Sequence, residues 1–128
     1  ATLGAAVLGR ALPGQELRTT ARDLAADLRF TRARAIASGR EQVFLLSVDE
    51  RRWEAAGERR GEWSDALQVE ATTARQESAG VRTAAVRFFP DGSASGGRVV
   101  FRHGEAAWRV DVAWLTGEVA LRRGTGQP

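Results

Sequence analysis

An α+β domain, with one long N-terminal helix packed on antiparallel β-sheet, is what this 128-residue sequence predicts. Two observations carry the expectation. Residues 15–38 keep an unbroken helical period with no Pro or Gly inside it. After Gly39 the period changes, and short apolar or alternating runs follow, separated by turns rich in Gly, Pro, Asp and Ser. A β-sandwich is one arrangement open to strands of this kind.

The helix rests on Leu17, Ala21, Leu24, Leu28, Thr31 and Ala35, which recur at alternating steps of four and three, with Ile36 flanking the stripe. Leu17, Ala21, Leu24, Leu28 and Ile36 are the expected helix core. Glu16 stands near the start, and Gly39 is suited to the left-handed position that ends a helix. Pro13-Gly14 precedes the helix as punctuation. A helix of this length is roughly 35 Å long, and each large apolar side chain it buries contributes about 1.5–3 kcal/mol. That stripe therefore needs a partner surface, and a sheet built by the rest of the chain is the simplest one.

About seven strands are expected between residues 42 and 122. Gln42–Val48 is a nearly continuous apolar run, and Trp53–Ala55 reads as its return strand. Gly57–Asp65 is charged and reads as a loop, Ala66–Thr72 alternates as a half-buried strand does, and Thr73–Gly80 reads as a polar loop. Val81–Phe89 leads into the Pro90-Asp91-Gly92 turn. Gly97–His103, Ala107–Trp114 and Leu115–Arg122 complete the set, with turns at His103–Glu105 and Thr116-Gly117. Residues 123–128 read as a flexible tail.

Composition excludes several kinds of function. There is no Cys and one His, so neither a disulfide framework nor a thiolate zinc site can form. No apolar run approaches the ~18 residues of a membrane-spanning helix. All 19 basic residues are Arg. Residues 1–40 carry a net charge of +4 and residues 41–128 a net of −1, so attraction to polyanions should centre on the first third. Arg18, Arg22, Arg29 and Arg32 gather on one broad helix face, with Arg34 and Arg40 further round. Asp23 and Asp27 lie at helix-neighbour spacing and are expected to neutralise that face in part, which reads as an ordinary solvated surface.

Catalytic, cofactor and metal residues are not found. His103 falls in a turn beside Gly104 and reads as solvated. Asp91-Gly92-Ser93 with Ser95-Gly96-Gly97 runs into a strand, whereas a phosphate-cradling loop opens a helix. The same segment has too few carboxylates for a calcium loop. The acids Glu54, Glu58, Glu62 and Asp65 stand in exposed loop sequence, and no Ser has the spacing of a nucleophile elbow. Of the tryptophans, Trp108 and Trp114 fall on one face of one expected strand and read as core. Trp63, in the charged loop with Arg59 and Arg60, is the expected exposed partner contact.

The order of these pieces resembles a known family. A helix ending in Ala33–Arg40 (ARAIASGR) runs into QVFLLSVD; later come Arg87–Phe101 (RFFPDGSASGGRVVF) and Leu115–Leu121 (LTGEVAL). This pattern is similar to the GspH/FimT family, the H-type minor pseudopilins of type II secretion systems and related minor type IV pilins. The resemblance implies a pseudopilin domain at 15–122. Residues 1–14 are then the remnant of, or the join to, a hydrophobic helix that anchors such subunits in the inner membrane. It also implies a cleaved basic leader, N-methylation and a domain in the periplasm. Other minor and major pseudopilins and the inner-membrane assembly platform are the implied partners, without cofactor, metal or small-molecule substrate. Some FimT-like members bind DNA through basic residues near the C-terminus, and Arg122 and Arg123 stand in about that place.

Overall fold

Helix α1 spans Pro13–Ser38 in the computed structural model, which describes residues 13–73 and 82–126. Segment 1–12, nearly all of the expected Thr73–Gly80 loop and the last two residues of the tail lie outside the described residues. The helix ends as its sequence dictates: Gly39 takes φ 67°, and its amide donates to the Ala35 carbonyl at 3.1 Å.

Eight strands follow among the described residues: β1 Gln42–Ser47, β2 Arg52–Glu54, β3 Arg60–Glu62, β4 Gln68–Thr72, β5 Thr83–Phe88, β6 Gly97–His103, β7 Ala106–Val112 and β8 Val119–Arg123. They form two four-stranded antiparallel sheets, ordered β3-β2-β1-β5 and β4-β6-β7-β8. The helix packs on strands of both. Leu17, Ala21, Leu24 and Leu28 are each no more than 1% exposed. Ile36, expected in the core, is 47% exposed. The reason is angular: each residue advances about 100°, so Ala35 completes the buried stripe and Ile36 turns out of it.

An aromatic run joins the sheets. Phe44 on β1 stacks near Trp53 on β2 (6.4 Å between centroids), Trp53 near Trp63 (6.0 Å), and Trp63 meets Phe101 on β6 edge-on (5.6 Å). Trp63 is therefore buried, 6% exposed, and not the exposed loop residue expected from its charged neighbours. Those neighbours form strand β3, which pairs with β2 in the register Trp53↔Gly61. Gly61 makes room there: a Cβ would lie 2.1 Å from the Trp53 ring.

The end of β7 also departs from expectation. The strand stops at Val112, and Ala113–Glu118 is a turn closed by Ala113 N–H to the Glu118 carbonyl (2.9 Å) and Gly117 N–H to the Ala113 carbonyl (2.7 Å). Trp114 is thus 67% exposed, outside the core, and the last strand begins at Val119. Gly117 is required in two ways: its φ is 74°, and a Cβ would lie 1.9 Å from the Gly92 carbonyl oxygen. At the neighbouring Pro90–Gly92 turn, the Ser93 hydroxyl and amide hydrogen-bond to Asp91 and hold its carboxyl below the usual carboxylate range.

Candidate protein-protein interface

The two flanks of α1 differ in charge. On the side of the first sheet, Glu16 accepts from the Ser64 amide and hydroxyl, both at 2.8 Å. Three turns further on, buried Asp27 accepts from Trp53 Nε1 and Arg59 Nε, both at 2.8 Å. Thr31 Oγ1 donates to the Asp27 carbonyl at 2.7 Å and accepts from the Ala56 amide at 3.3 Å. Asp23 lines a groove on this flank with Asp27, Arg59, Arg60 and Glu62. The expected neutralisation of the arginine face does not occur, because Asp23 and Asp27 face the other way and Asp27 is committed to the fold.

Asp27→Ala follows from this geometry as a stability test. Removal of the carboxylate leaves the Trp53 indole N–H without its acceptor in a buried place and Arg59 without its counterion. A loss of about 2–3 kcal/mol is expected, with the Arg59 part kept small because that side chain is half in solvent. A urea midpoint equal to the parent's would show that the network adds nothing.

On the side of the second sheet Arg29 and Arg32 line a groove with Thr116, Glu118 and Val119, and positive charge predominates. Arg29 Nη2 donates to the Val119 carbonyl at 2.9 Å. Arg32 donates through Nε to the Gly92 carbonyl (2.9 Å) and through Nη2 to the Thr116 carbonyl (3.0 Å), tying both turns to the helix. The Trp108 ring carries two guanidiniums, Arg123 at 5.2 Å and Arg18 at 6.0 Å from its centroid. Arg122 and Arg123 are exposed on β8.

The residues expected to meet partners are therefore dispersed. Trp63 is internal. Arg59 is held by Asp27 and lies 4.5 Å from the Phe30 ring centroid. Arg60 is exposed on the edge strand β3. The largest exposed apolar side chains are instead Leu115 (68%), Trp114 (67%), Leu45 (50%) and Ile36. The Thr116-Gly117 turn signal was in the sequence; the two large residues before it belong to that turn and not to the strand.

His103 is exposed, with Nδ1 3.1 Å from the Ala66 carbonyl oxygen. Among the described residues there is no group of three or more His, Cys, Asp or Glu placed to hold a metal ion, and no helix long and apolar enough to cross a membrane.

Comparison with known proteins bears on the same residues. The family model of type II transport protein GspH matches residues 20–117. A type II secretion system protein H from Xanthomonas campestris pv. campestris is 45% identical over 117 residues, which is 91% of this chain and 69% of that protein. Among solved structures, the minor pseudopilin EpsH of the Vibrio cholerae type 2 secretion system superposes with TM-score 0.64 at 18% identity, covering 84% of this chain and 97% of that one. The type IV minor pilin FimU of Pseudomonas aeruginosa gives TM-score 0.63 at 14% identity, covering 87% and 91%. The two structural likenesses show a shared fold of one long helix on antiparallel sheets; the family match and the 45% identity show more, and by them this chain belongs to the GspH family of type II transport proteins.

Proposed function

We propose that this chain is a minor pseudopilin, a structural subunit near the tip of the type II secretion pseudopilus that supports export of folded proteins across the outer membrane. The observation that carries this reading is the 45% identity to a type II secretion system protein H across 91% of the chain. In this reading the domain stands in the periplasm, held to the inner membrane by a helix that precedes it, and meets other pseudopilins and the assembly platform. It acts by shape and contact, without covalent chemistry. The alternative, a type IV minor pilin that binds DNA, has the fold in its favour, since the FimU likeness nearly equals the EpsH one. Arg122 is the free cation it would use, while Arg123 is already engaged with Trp108.

Deletion of the gene in its own host separates the two. Loss of type II export, with pilus-dependent DNA uptake intact, is the expected result. Intact export with lost DNA uptake would overturn the pseudopilin reading.

A further inference from the structure

The arginines of this chain divide sharply. Seven described ones are ion-paired with Asp or Glu. Ten others have no ion pair among the described residues, and five of these, Arg18, Arg22, Arg29, Arg32 and Arg123, lie together on the β8 flank of α1; Arg34, Arg40, Arg51 and Arg60 also stand without one, and Arg122, opposite Arg109, projects from the other face of its sheet. Arg18, Arg22, Arg29 and Ile36 fall within about 40° of one another around the helix. Arg29 reaches the start of β8 at Val119, and Arg18 shares the Trp108 ring with Arg123 at its end. Eleven helical residues span roughly 16 Å and four strand steps roughly 13 Å, so the arginine line and β8 run side by side along most of their length.

One end of this band is apolar. Ile36 lies beside Gly92, which Arg32 ties to the turn that exposes Trp114 and Leu115. That turn is held by its own backbone hydrogen bonds as well as by Arg32, so the two side chains stand on a rigid base and lose little freedom on binding.

We infer that the β8 flank of α1 is a docking face for an acidic protein surface, one that offers Asp and Glu to the arginine line and an apolar socket to Trp114 and Leu115. The inference rests on the pseudopilin reading, and the partner is then another subunit of the same filament. Charge complementarity selects an acidic occupant, since five guanidiniums outnumber the single neighbouring carboxylate of Glu118 and repel basic surfaces. The apolar end selects protein over nucleic acid, because Trp and Arg together are the residues that dominate protein interfaces. A base-stacking platform is also poorly served here, as the Trp108 ring at the other end of the band already carries two guanidiniums.

The Arg22 side chain makes no hydrogen bond or ion pair, and that of Arg18 only its ring contact with Trp108, so Arg18→Glu/Arg22→Glu tests the face at little cost to the fold. Leu115→Ser tests its apolar end. Arg34→Glu/Arg51→Glu, at exposed positions off the band, changes the net charge equally and is the control. Binding to the purified periplasmic domain of each other pseudopilin of the host is measured by calorimetry at two salt concentrations, with circular dichroism to check folding. The band variants are expected to bind about tenfold or more weakly, the control as the parent does, and the parent's affinity to fall as salt rises. Parental binding by Arg18→Glu/Arg22→Glu overturns the inference. So does unchanged subunit binding with lost affinity for a DNA duplex or for phosphatidylglycerol vesicles. In the host, a deletion strain whose export is restored by Arg18→Glu/Arg22→Glu combined with Leu115→Ser refutes the docking face and leaves the pseudopilin reading standing; export that survives the deletion itself refutes that reading.

Discussion

Leu24→Arg is expected to leave no cooperatively folded domain at 25 °C. Leu24 is 0% exposed at the middle of α1, where the helix lies against both sheets. The substitution acts twice. It removes a buried leucine, a loss of about 2–5 kcal/mol for truncation to Ala. It then buries a guanidinium among apolar side chains, where the neighbouring carboxylate of Asp27 is already committed to Trp53 and Arg59, a further cost of several kcal/mol after relaxation. The sum reaches the whole stability of an ordinary domain, about 5–15 kcal/mol. Ala26→Arg, two residues on and exposed on the same helix, is the matched control and should fold as the parent does. Near-ultraviolet circular dichroism of the tryptophans reads the result, because Trp53 and Trp63 lie in the core that the helix closes. A sharp urea transition within about 1 kcal/mol of the parent would show that the helix is not what holds the sheets together.

The same position shows why the helix could be read so fully from its residues. A single period of 3.6 governs it, and the apolar stripe, the lack of Gly or Pro and the Gly39 terminator all agree. Its one misplaced residue, Ile36, is a matter of 100°. The strands are less legible because their burial is decided by partners far away in sequence. The charged run Gly57–Asp65 looks like a loop, yet three of its residues pair with β2. Nothing local announces that pairing: the space for the Trp53 ring comes from Gly61, a residue whose composition signal is that of a turn. Trp114 failed the other way. An even spacing from Trp108 implies a shared face only while the strand continues, and Gly117, packed on Gly92, ends it. The net charge of the helix is legible in its residues but its sidedness is not, because Asp27 turns inward to serve Trp53 and Arg59.

Trp63→Ala tests the most consequential of these differences. Read as a surface residue, Trp63 should be removable with no effect on folding and some effect on partner binding. Its place in the structure demands the opposite. The indole is 6% exposed and links Trp53 of one sheet to Phe101 of the other. Truncation to Ala opens a void between the sheets, and buried Trp-to-Ala changes cost about 3–5 kcal/mol. The two ring contacts are included in that loss, at about 0.5–1.5 kcal/mol each. Trp63→Phe should recover much of it, since a smaller ring still meets Phe101 and Trp53. Urea midpoints of the three proteins at equal slope give the order parent, Phe, Ala. The order matters for interpreting export assays: a secretion defect in Trp63→Ala reports an unfolded subunit, whereas one in Leu115→Ser, at a side chain 68% exposed, reports a lost contact. An unchanged midpoint in Trp63→Ala would place the ring in solvent and remove the aromatic bridge between the sheets.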